Sequence, residues 1–355
     1  MTGRGGSDHG RLSMAQSTWI TDVRTRVDAR LLSFFDQALA RAGATSPRSI
    51  ELVEAIATLT MRAGKRLRPA VVVAGFRVAD SQTPLERTDN PCAAIELLQT
   101  YFLIHDDWMD RDDERRGGLA VHAALRKKYG DAHLGDALGV LAGDLASSYA
   151  SELLASTQFP DGSRVAALHA FAQIQEQVVF GQHLDLIADE DVERMHDLKT
   201  GSYTVRGPLR LGALLGGAPV ELLATLDAFA RPVGLAFQLR DDLLGAFGDQ
   251  RALGKPVGAD LRAGKRNAVI TEAEQRMSTA DSKVLGGVLG KRDATEREIM
   301  DATDLLASSG AREAVETRIT KHVAEAREIL RNESIHPEGR RMLLDLVDLM
   351  TNRTH

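Results

Sequence analysis

The 355-residue sequence contains a single cysteine, Cys92, which excludes an internal disulfide and a metal site built from several cysteines. Only 5% of the residues are aromatic, and alternating runs of Val, Thr and Tyr that would indicate strands are absent. No apolar stretch reaches membrane-spanning length, and the Gly-rich polar start lacks the apolar core of a signal peptide. We therefore expect a helical, cytoplasmic protein without a transmembrane segment.

The charge balance gives no support for nucleic acid or an anionic membrane as a partner. The formal net charge is -6, so no excess of basic residues favours nucleic acid or an anionic membrane surface. Hydrophobic residues make up 43% of the chain and charged residues 26%, which is typical of a globular protein with a sizeable core. Any anion must therefore be bound by local basic clusters.

Apolar residues recur every four positions from Trp19 to Phe35, and similar helical periods continue to about residue 352. Residues 1–15 contain Gly, Ser and charged residues, which predicts a disordered tail. We predict one all-α domain over residues 16–355. Pro69 is expected to open the helix of residues 70–78, and residues 199–204 are expected to form a polar interruption.

The densest chemistry lies in residues 104–117, where an apolar helix ends in Asp106-Asp107-Trp108-Met109-Asp110. Asp106 and Asp110 are four residues apart, so they share one helix face and repel each other unless a cation lies between them. Two carboxylates, completed by water and substrate phosphates, suit Mg²⁺. Arg115 and Arg116 follow with donors for phosphate oxygens. The alternative is a solvated acidic helix end followed by a basic turn.

A second carboxylate pair, Asp241 and Asp242, ends another long apolar helix. If both helices pack in one bundle, their acids face each other and hold a diphosphate through Mg²⁺, with a hydrocarbon below. The basic residues fall into separate sets, which would suit a second, cation-bound diphosphate, although the first set alone is also typical of a solubilising loop. These sets are Lys65, Arg66 and Arg68; Arg115 and Arg116; Lys199; and Lys255 and Lys265.

Six motifs in order carry a resemblance to a known family: GKRLRP at 64–69, DDxxD at 106–110 with its Arg-Arg-Gly, GQxxD at 181–185, Lys-Thr at 199–200, FQxRDD at 237–242 and Gly-Lys-Pro at 254–256. The sequence resembles the trans-isoprenyl diphosphate synthases, which include farnesyl and geranylgeranyl diphosphate synthases. The resemblance implies an isoprenoid-synthase-type helical bundle around a deep central cavity, a homodimer, and head-to-tail condensation of isopentenyl diphosphate with an allylic diphosphate.

The resemblance also assigns roles to single residues. Three Mg²⁺ ions are implied at Asp106, Asp110 and Asp241. The allylic diphosphate is expected to contact Arg115, Lys199, Lys255 and Lys265, and the carbocation is expected to face Thr200 and Gln238. Isopentenyl diphosphate is expected at Lys65, Arg68, Gln99 and Arg116.

The chain departs from the family pattern at two places. The third Asp of the second acid motif is replaced by Gly245, and Gln99 stands where many relatives have His. Tyr101 and Phe102 lie five and four residues before Asp106, and such aromatic pairs stop elongation at fifteen carbons in this family. We therefore predict farnesyl diphosphate as the product, with geranylgeranyl diphosphate as the alternative, and assign no role to Trp108.

Two further functions are compatible with a DDxxD helix. A class I terpene cyclase would lack the second basic site and would carry Asn, Ser or Thr, and Glu in its second metal motif. A non-catalytic partner subunit would be expected to have lost an acid motif. The second basic site is present as Lys65, Arg68 and Arg116, and both acid motifs are largely retained, so a Mg²⁺-dependent trans-prenyltransferase is favoured over both.

Overall fold

A computed structural model of the chain describes residues 9–62, 64–187, 189, 191–248, 261–262, 264 and 266–351. These residues are almost entirely helical, which confirms the all-α prediction. No helix among them is long and apolar enough to cross a membrane. The helices are α1 (His9–Thr45), α2 (Ile50–Met61), α3 (Leu67–Ala79), α4 (Asp89–Asp110), α5 (Val121–Tyr129), α6 (Ala132–Ala155), α7 (Asp161–Leu186), α8 (Val192–His196), α9 (Gly207–Leu215), α10 (Val220–Phe247), α11 (Ala268–Glu274), α12 (Thr279–Val288), α13 (Glu296–Ser308), α14 (Ala311–Ile329) and α15 (Pro337–Thr351).

Shorter elements complete the order. Two 3₁₀ turns, Pro47–Ser49 and Leu85–Thr88, precede α2 and α4, and a π-helix, Asp197–Arg206, follows α8. The strands β1 (Glu114–Arg115) and β2 (Gly118–Leu119) form an antiparallel hairpin between α4 and α5.

Two helix starts and one segment differ from the sequence-based predictions. Helix α1 begins at His9, whereas the sequence predicts that the domain starts at residue 16. The disordered tail of residues 1–15 and the single domain both stay predictions. Helix α3 begins at Leu67, so Pro69 is its third residue, where the missing N–H has no partner within the helix anyway. The predicted interruption at residues 199–204 is wrong, because a π-helix pairs this backbone internally without an apolar 3.6-residue period.

The described contacts divide into two compact units, and the first contains residues 1–172, 208–219 and 336–345. Its central element is α4, which packs against α6, α3 and α1 and is buried from Pro91 to Leu98. A Cβ built on Gly143 of α6 would lie 2.1 Å from Nε2 of His105. Glycine at this position therefore lets the last turns of α4, which carry the acids, approach α6 closely.

The second unit contains residues 173–207, 220–335 and 346–355. Its central element is α10, which packs against the π-helix and α14 and continues through Pro232. Leu239 and Leu243 of α10 belong to a buried core that also includes Val315 of α14. This core fixes the turn of α10 that carries Asp241 and Asp242.

Candidate active site

The C-terminal end of α4 presents the predicted carboxylates. Asp106 and Asp110 both lie on this helix, one turn apart, and are half-buried. Gln99 and Phe102 precede Asp106 by seven and four residues, so all four side chains follow one face of α4. Two carboxylates at this spacing are a donor set that fits Mg²⁺ with water and phosphate oxygens as further ligands.

The hairpin after α4 directs two arginines. Arg115 is the last residue of β1, and Arg116 and Gly117 form the two-residue turn, with φ of 52° and 72°. Positive φ at both central positions is typical of a type I′ turn, whose twist matches that of the paired strands. The predicted allylic contact is thus in a strand and the predicted isopentenyl contact is in the tight turn beside it.

Arg115 lies among three carboxylates of the first unit. Its Nε donates to Oδ1 of Asp107 at 2.6 Å, and its Nη2 also contacts that oxygen. Nη2 lies 3.6 Å from Asp106 and 3.7 Å from Asp112. Burial raises the pKa of Asp107 to about 6, although the bonds from Arg115 oppose the shift.

Arg62, the residue after α2, contacts both strands of the hairpin. Its Nη1 donates to the carbonyl oxygens of Arg115 at 3.0 Å and of Leu119 at 2.8 Å. A Cβ built on Gly118 would lie 2.8 Å from the Arg62 guanidinium carbon. One guanidinium therefore bridges both strands beside the predicted substrate-binding arginines.

The segment from Gly64 to Arg68 lies close to the hairpin turn. A Cβ built on Gly64 would lie 3.7 Å from Nη1 of Arg116. Lys65 is exposed and Arg68 is half-buried, and both belong to this segment, whose Gly64 lies beside Arg116. This grouping supports a cation-bound anion site.

Arg66 differs from its two basic neighbours. It adopts φ of 49°, and its side chain is buried, donating from Nη1 to Glu96 at 2.5 Å and from Nε to Asp28 at 2.8 Å. The left-handed residue turns this guanidinium inward, so the sequence's grouping of Arg66 with Lys65 and Arg68 is wrong for Arg66. Its ion pairs instead join the segment to α4 and α1.

The two predicted chain-length residues lie together on α4. The ring centroids of Tyr101 and Phe102 are 4.9 Å apart, and Tyr101 also packs edge-on against His105 at 4.9 Å. Nε2 of His105 lies 3.1 Å from the carbonyl oxygen of Val140 in α6. Tyr101 is therefore on the α6 side of the helix, while Phe102 is in the row of Asp106.

In the second unit, Lys199 and Thr200 lie on the π-helix. Nζ of Lys199 donates to Oδ2 of Asp185 at 2.6 Å. A Cβ built on Gly181 would lie 2.4 Å from the backbone nitrogen of Lys199. The GQxxD motif thus supplies both a glycine that lets the lysine backbone approach α7 and a carboxylate that pairs with its ammonium group.

Asp241 and Asp242 occupy consecutive positions near the end of α10. Asp241 is half-buried, whereas Asp242 is buried and accepts from Nε2 of Gln238 at 2.8 Å. The other oxygen of Asp242 accepts from the backbone N–H of Ala268, the first residue of α11, at 2.9 Å. Gly245, where the family's third Asp is missing, lies within α10.

Lys255 and Lys265 lie outside the described residues. Within the described part of the chain, no group of three or more Asp, Glu, His or Cys side chains is placed to hold a metal ion. The described site residues therefore form an acid face with a hairpin of two arginines and a basic segment in the first unit, and a lysine and carboxylate set in the second.

The sequence did not predict several residues that hold these groups. Arg62 and Glu96 left no sequence signal, because each contacts a partner at least 30 residues away in the chain. Asp107 could have been found, because adjacent helical residues point about 100° apart and only one of two consecutive acids can follow the Asp106 face.

Residues 50–306 match the family profile described as polyprenyl synthetase. The chain is 32% identical over 301 residues to geranylfarnesyl diphosphate synthase of Aeropyrum pernix, covering 82% of this chain and 90% of that one. It is 31% identical over 301 residues to (2E,6E)-farnesyl diphosphate synthase of Mycobacterium tuberculosis, covering 82% and 80%. A geranylgeranyl pyrophosphate synthase from Corynebacterium glutamicum, solved with isoprenyl diphosphate and magnesium, has a similar fold, with a TM-score of 0.85, 32% identity, and coverage of 92% and 97%.

Proposed function

Because the chain belongs to the polyprenyl synthetase family, whose similar members are prenyl diphosphate synthases, we propose that it condenses isopentenyl diphosphate with dimethylallyl or geranyl diphosphate to give all-trans farnesyl diphosphate. The single observation that carries the proposal is the hairpin after α4. It places Arg115 beside the DDxxD acids and Arg116 beside Gly64. One short element thus serves two neighbouring diphosphate sites.

The allylic diphosphate is assigned to the acid side. Asp106 and Asp110, with Asp241 of the second unit, would hold Mg²⁺, which acts as a Lewis acid toward the leaving diphosphate when bound. Arg115 adds a fixed positive charge where negative charge develops during ionisation, which stabilises the transition state. Three ions per site, and the approach of Asp241 to Asp106, remain part of this proposal.

Residues of the second unit are assigned to the same substrate. Lys199 would bind the leaving group, with Lys255 and Lys265 as further cations outside the described residues. Thr200 and Gln238 would direct oxygen dipoles at the allylic cation. Paired to Asp185, Lys199 begins from a fixed position, so little side-chain entropy is lost when it exchanges that carboxylate for a diphosphate oxygen.

Isopentenyl diphosphate is assigned to Lys65, Arg68 and Arg116, with Gln99 as a neutral donor. Holding its double bond next to the allylic carbon converts the condensation into an effectively unimolecular step. The released diphosphate accepts the proton in this scheme, so no side-chain base is required. Exclusion of water matters because water would trap the cation.

Product length is proposed from the row below the acids. Phe102 precedes Asp106 by one helical turn, about 5.4 Å along the axis, and Tyr101 contacts its ring. We expect Phe102→Ala and the double variant with Tyr101→Ala to give products longer than fifteen carbons, measured by chromatography of radiolabelled products. Ile104→Ala, at a buried position about 200° from Asp106 around the helix, should lower stability without lengthening the product.

Geranylgeranyl diphosphate is the second candidate, and the position of Tyr101 favours it. The ring packs on His105, on the α6 side, so Phe102 alone lies in the row of Asp106. If one aromatic ring closes the end of the pocket, the growing hydrocarbon chain has more room than if two rings close it. A twenty-carbon main product from the unaltered chain would establish this alternative and reject farnesyl diphosphate.

A homodimer is also proposed. Leu134, Leu138, Leu141 and Leu145 recur on α6 at the spacing of a coiled-coil seam, and Leu134 and Leu141 are 39% and 51% exposed. Burying this seam against a second copy would remove an apolar stripe from water. Leu141→Glu should give monomers by light scattering, whereas Met300→Glu, at a similarly exposed position on α13, should not. Cytoplasmic location stays a prediction from the single cysteine.

The decisive experiment is incubation of the pure protein with isopentenyl diphosphate, dimethylallyl diphosphate and Mg²⁺. Chain-elongated diphosphates support the proposal, a cyclic hydrocarbon supports a terpene cyclase, and no turnover supports a non-catalytic subunit. Asp106→Asn and Asp241→Asn should each nearly abolish turnover, and their combination should add little. Independent, additive losses would contradict a shared cation site.

A further inference from the structure

Asp107, the second acid of DDxxD, is a buried carboxylate to which the proposed mechanism gives no part. Its side chain has no exposed surface, whereas that of Asp106 is 22% exposed. Consecutive residues on a helix point about 100° apart. When Asp106 faces outward with Asp110, Asp107 must therefore point into the protein, where a cation that keeps its waters does not fit.

The one described polar contact of the Asp107 side chain is with Arg115. Nε and Nη2 of the guanidinium both contact Oδ1 of Asp107. Two adjacent donors on one carboxylate oxygen hold that edge of the guanidinium group against Asp107. The remaining donors of Arg115 are directed by this pairing, and Asp106 lies 3.6 Å from Nη2.

Stability alone gives a poor account of this carboxylate. Oδ2 of Asp107 is buried and has no hydrogen-bond partner among the residues that the structure describes. A half-satisfied buried acid is less favourable than an apolar side chain of similar size. The residue type is thus better explained by what it does to Arg115.

The second acid pair repeats the arrangement independently. Asp241 is half-buried, while Asp242 is buried and accepts from Gln238, another residue assigned to the allylic substrate. In each pair, the first acid is available to a cation and the second holds a neighbouring polar side chain of the site. Asp242 also accepts from the N–H of Ala268, so it is a less specific target for mutation.

We propose that Asp107 is a positioning residue that orients Arg115 toward the leaving diphosphate and does not bind Mg²⁺. This inference rests on the proposed function, since it concerns how the allylic site is built. Isopentenyl diphosphate, assigned to Arg116 and the basic segment, should be little affected. Outer-shell partners that orient a functional side chain typically cost about 10–100-fold in affinity or activity when they are mutated, and the lower end is expected for one bond to Arg115.

The test compares Asp107→Asn with Asp112→Asn in the full-length protein. Both variants remove one negative charge near the same guanidinium, but Asp112 is 3.7 Å from Nη2 and 43% exposed. Calorimetry with a non-ionising thio analogue of geranyl diphosphate and Mg²⁺ gives binding without turnover. We expect Asp107→Asn to weaken binding about tenfold and Asp112→Asn to weaken it less than twofold, with the KM for isopentenyl diphosphate unchanged in both.

A double-variant comparison identifies the route of the effect. If Asp107 acts through Arg115, adding Asp107→Asn to Arg115→Gln should weaken analogue binding no further. Equal effects of the two Asn variants, a full additional loss in the Arg115→Gln background, or a shift only in the Mg²⁺ concentration for half-maximal binding would each overturn the proposal. If Asp107→Asn does not fold, Arg115→Lys replaces it in the test, because lysine keeps the positive charge but lacks the paired donors of the guanidinium group. Binding of the analogue by Arg115→Lys as tight as by the unaltered protein would also overturn the proposal. Failure of the proposed function is distinguishable, because the unaltered chain would then form no elongated product.

Discussion

The packing of α7 against the π-helix leads to a prediction about Gly181. A Cβ at this position would lie 2.4 Å from the nitrogen and 2.7 Å from the Cα of Lys199, and 2.9 Å from the carbonyl carbon of Leu198. All three are backbone atoms, so no side-chain rotation relieves the contact. Opening the closest distance to 3.0 Å, the shortest that real Cβ atoms show, requires a shift of 3.0 minus 2.4, or 0.6 Å.

Gly181→Ala should therefore lower both stability and activity. Overpacking typically costs about 1–3 kcal/mol, and the gain from replacing a helical Gly offsets about 0.5–1 kcal/mol of that. We expect a net loss of about 1–2 kcal/mol in the free energy of unfolding. A misplacement of about 1 Å can cost a hundredfold in rate, so a shift of about half that distance at Lys199 predicts a loss of about tenfold in kcat/KM for the allylic substrate.

Gly286→Ala is the matched control for Gly181→Ala. Gly286 lies on α12 of the same unit, is exposed, and has no atom within 4 Å of a Cβ built on it. This variant should gain about 0.5–1 kcal/mol and leave kcat/KM unchanged. Urea denaturation and steady-state kinetics measure both quantities. Shifts of the same sign in both variants would refute the packing argument, and a destabilised Gly181→Ala with normal kcat/KM would refute the link to Lys199.

Three further predictions follow from single contacts. Arg62→Ala should raise the KM for both diphosphates, because the hairpin loses the guanidinium that bridges its strands, whereas Arg87→Ala, which removes one exposed bond to the carbonyl of Gln158, should change neither. Glu96→Gln should lower the free energy of unfolding by about 1–3 kcal/mol in urea titrations, because the buried guanidinium of Arg66 loses one of its two charged partners while Asp28 stays paired. The bond from Lys291, followed by that from the Thr295 backbone, lowers the pKa of Glu298 from 4.5 to about 2. Its charged form therefore stabilises the fold above pH 4.5, so the deficit of Glu298→Gln in urea midpoint should narrow as pH falls from 4.5 toward 2.

Much of the fold could be predicted because helices are local. The apolar period predicted helices from Trp19 to about residue 352, and the absence of strand patterns gave the all-α class. The same reasoning missed the hairpin at residues 114–119, because strands of two residues carry no alternation. It also missed the π-helix, because its backbone bonds follow a period that an apolar pattern does not reveal.

The candidate site divides in the same way. The residue types and their order can be read directly from the sequence. The sequence alone was therefore enough to predict Asp106, Asp110, Lys65, Arg68 and Arg116 as site residues. The sequence could not show which of several neighbouring charged side chains is buried, and Arg66 is the example. Its left-handed backbone and its partners Glu96 and Asp28 depend on three segments meeting.

By itself, the sequence determined the helical class, the spacing of the acids along α4 and the supply of cations, because these depend on residue type and on a period of 3.6. The tertiary structure alone decided that Asp107 holds Arg115, that Arg62 bridges the hairpin and that Asp185 pairs with Lys199. Such pairings depend on burial and on contacts between separate segments, and the energy of a charge is set by whatever packing brings beside it.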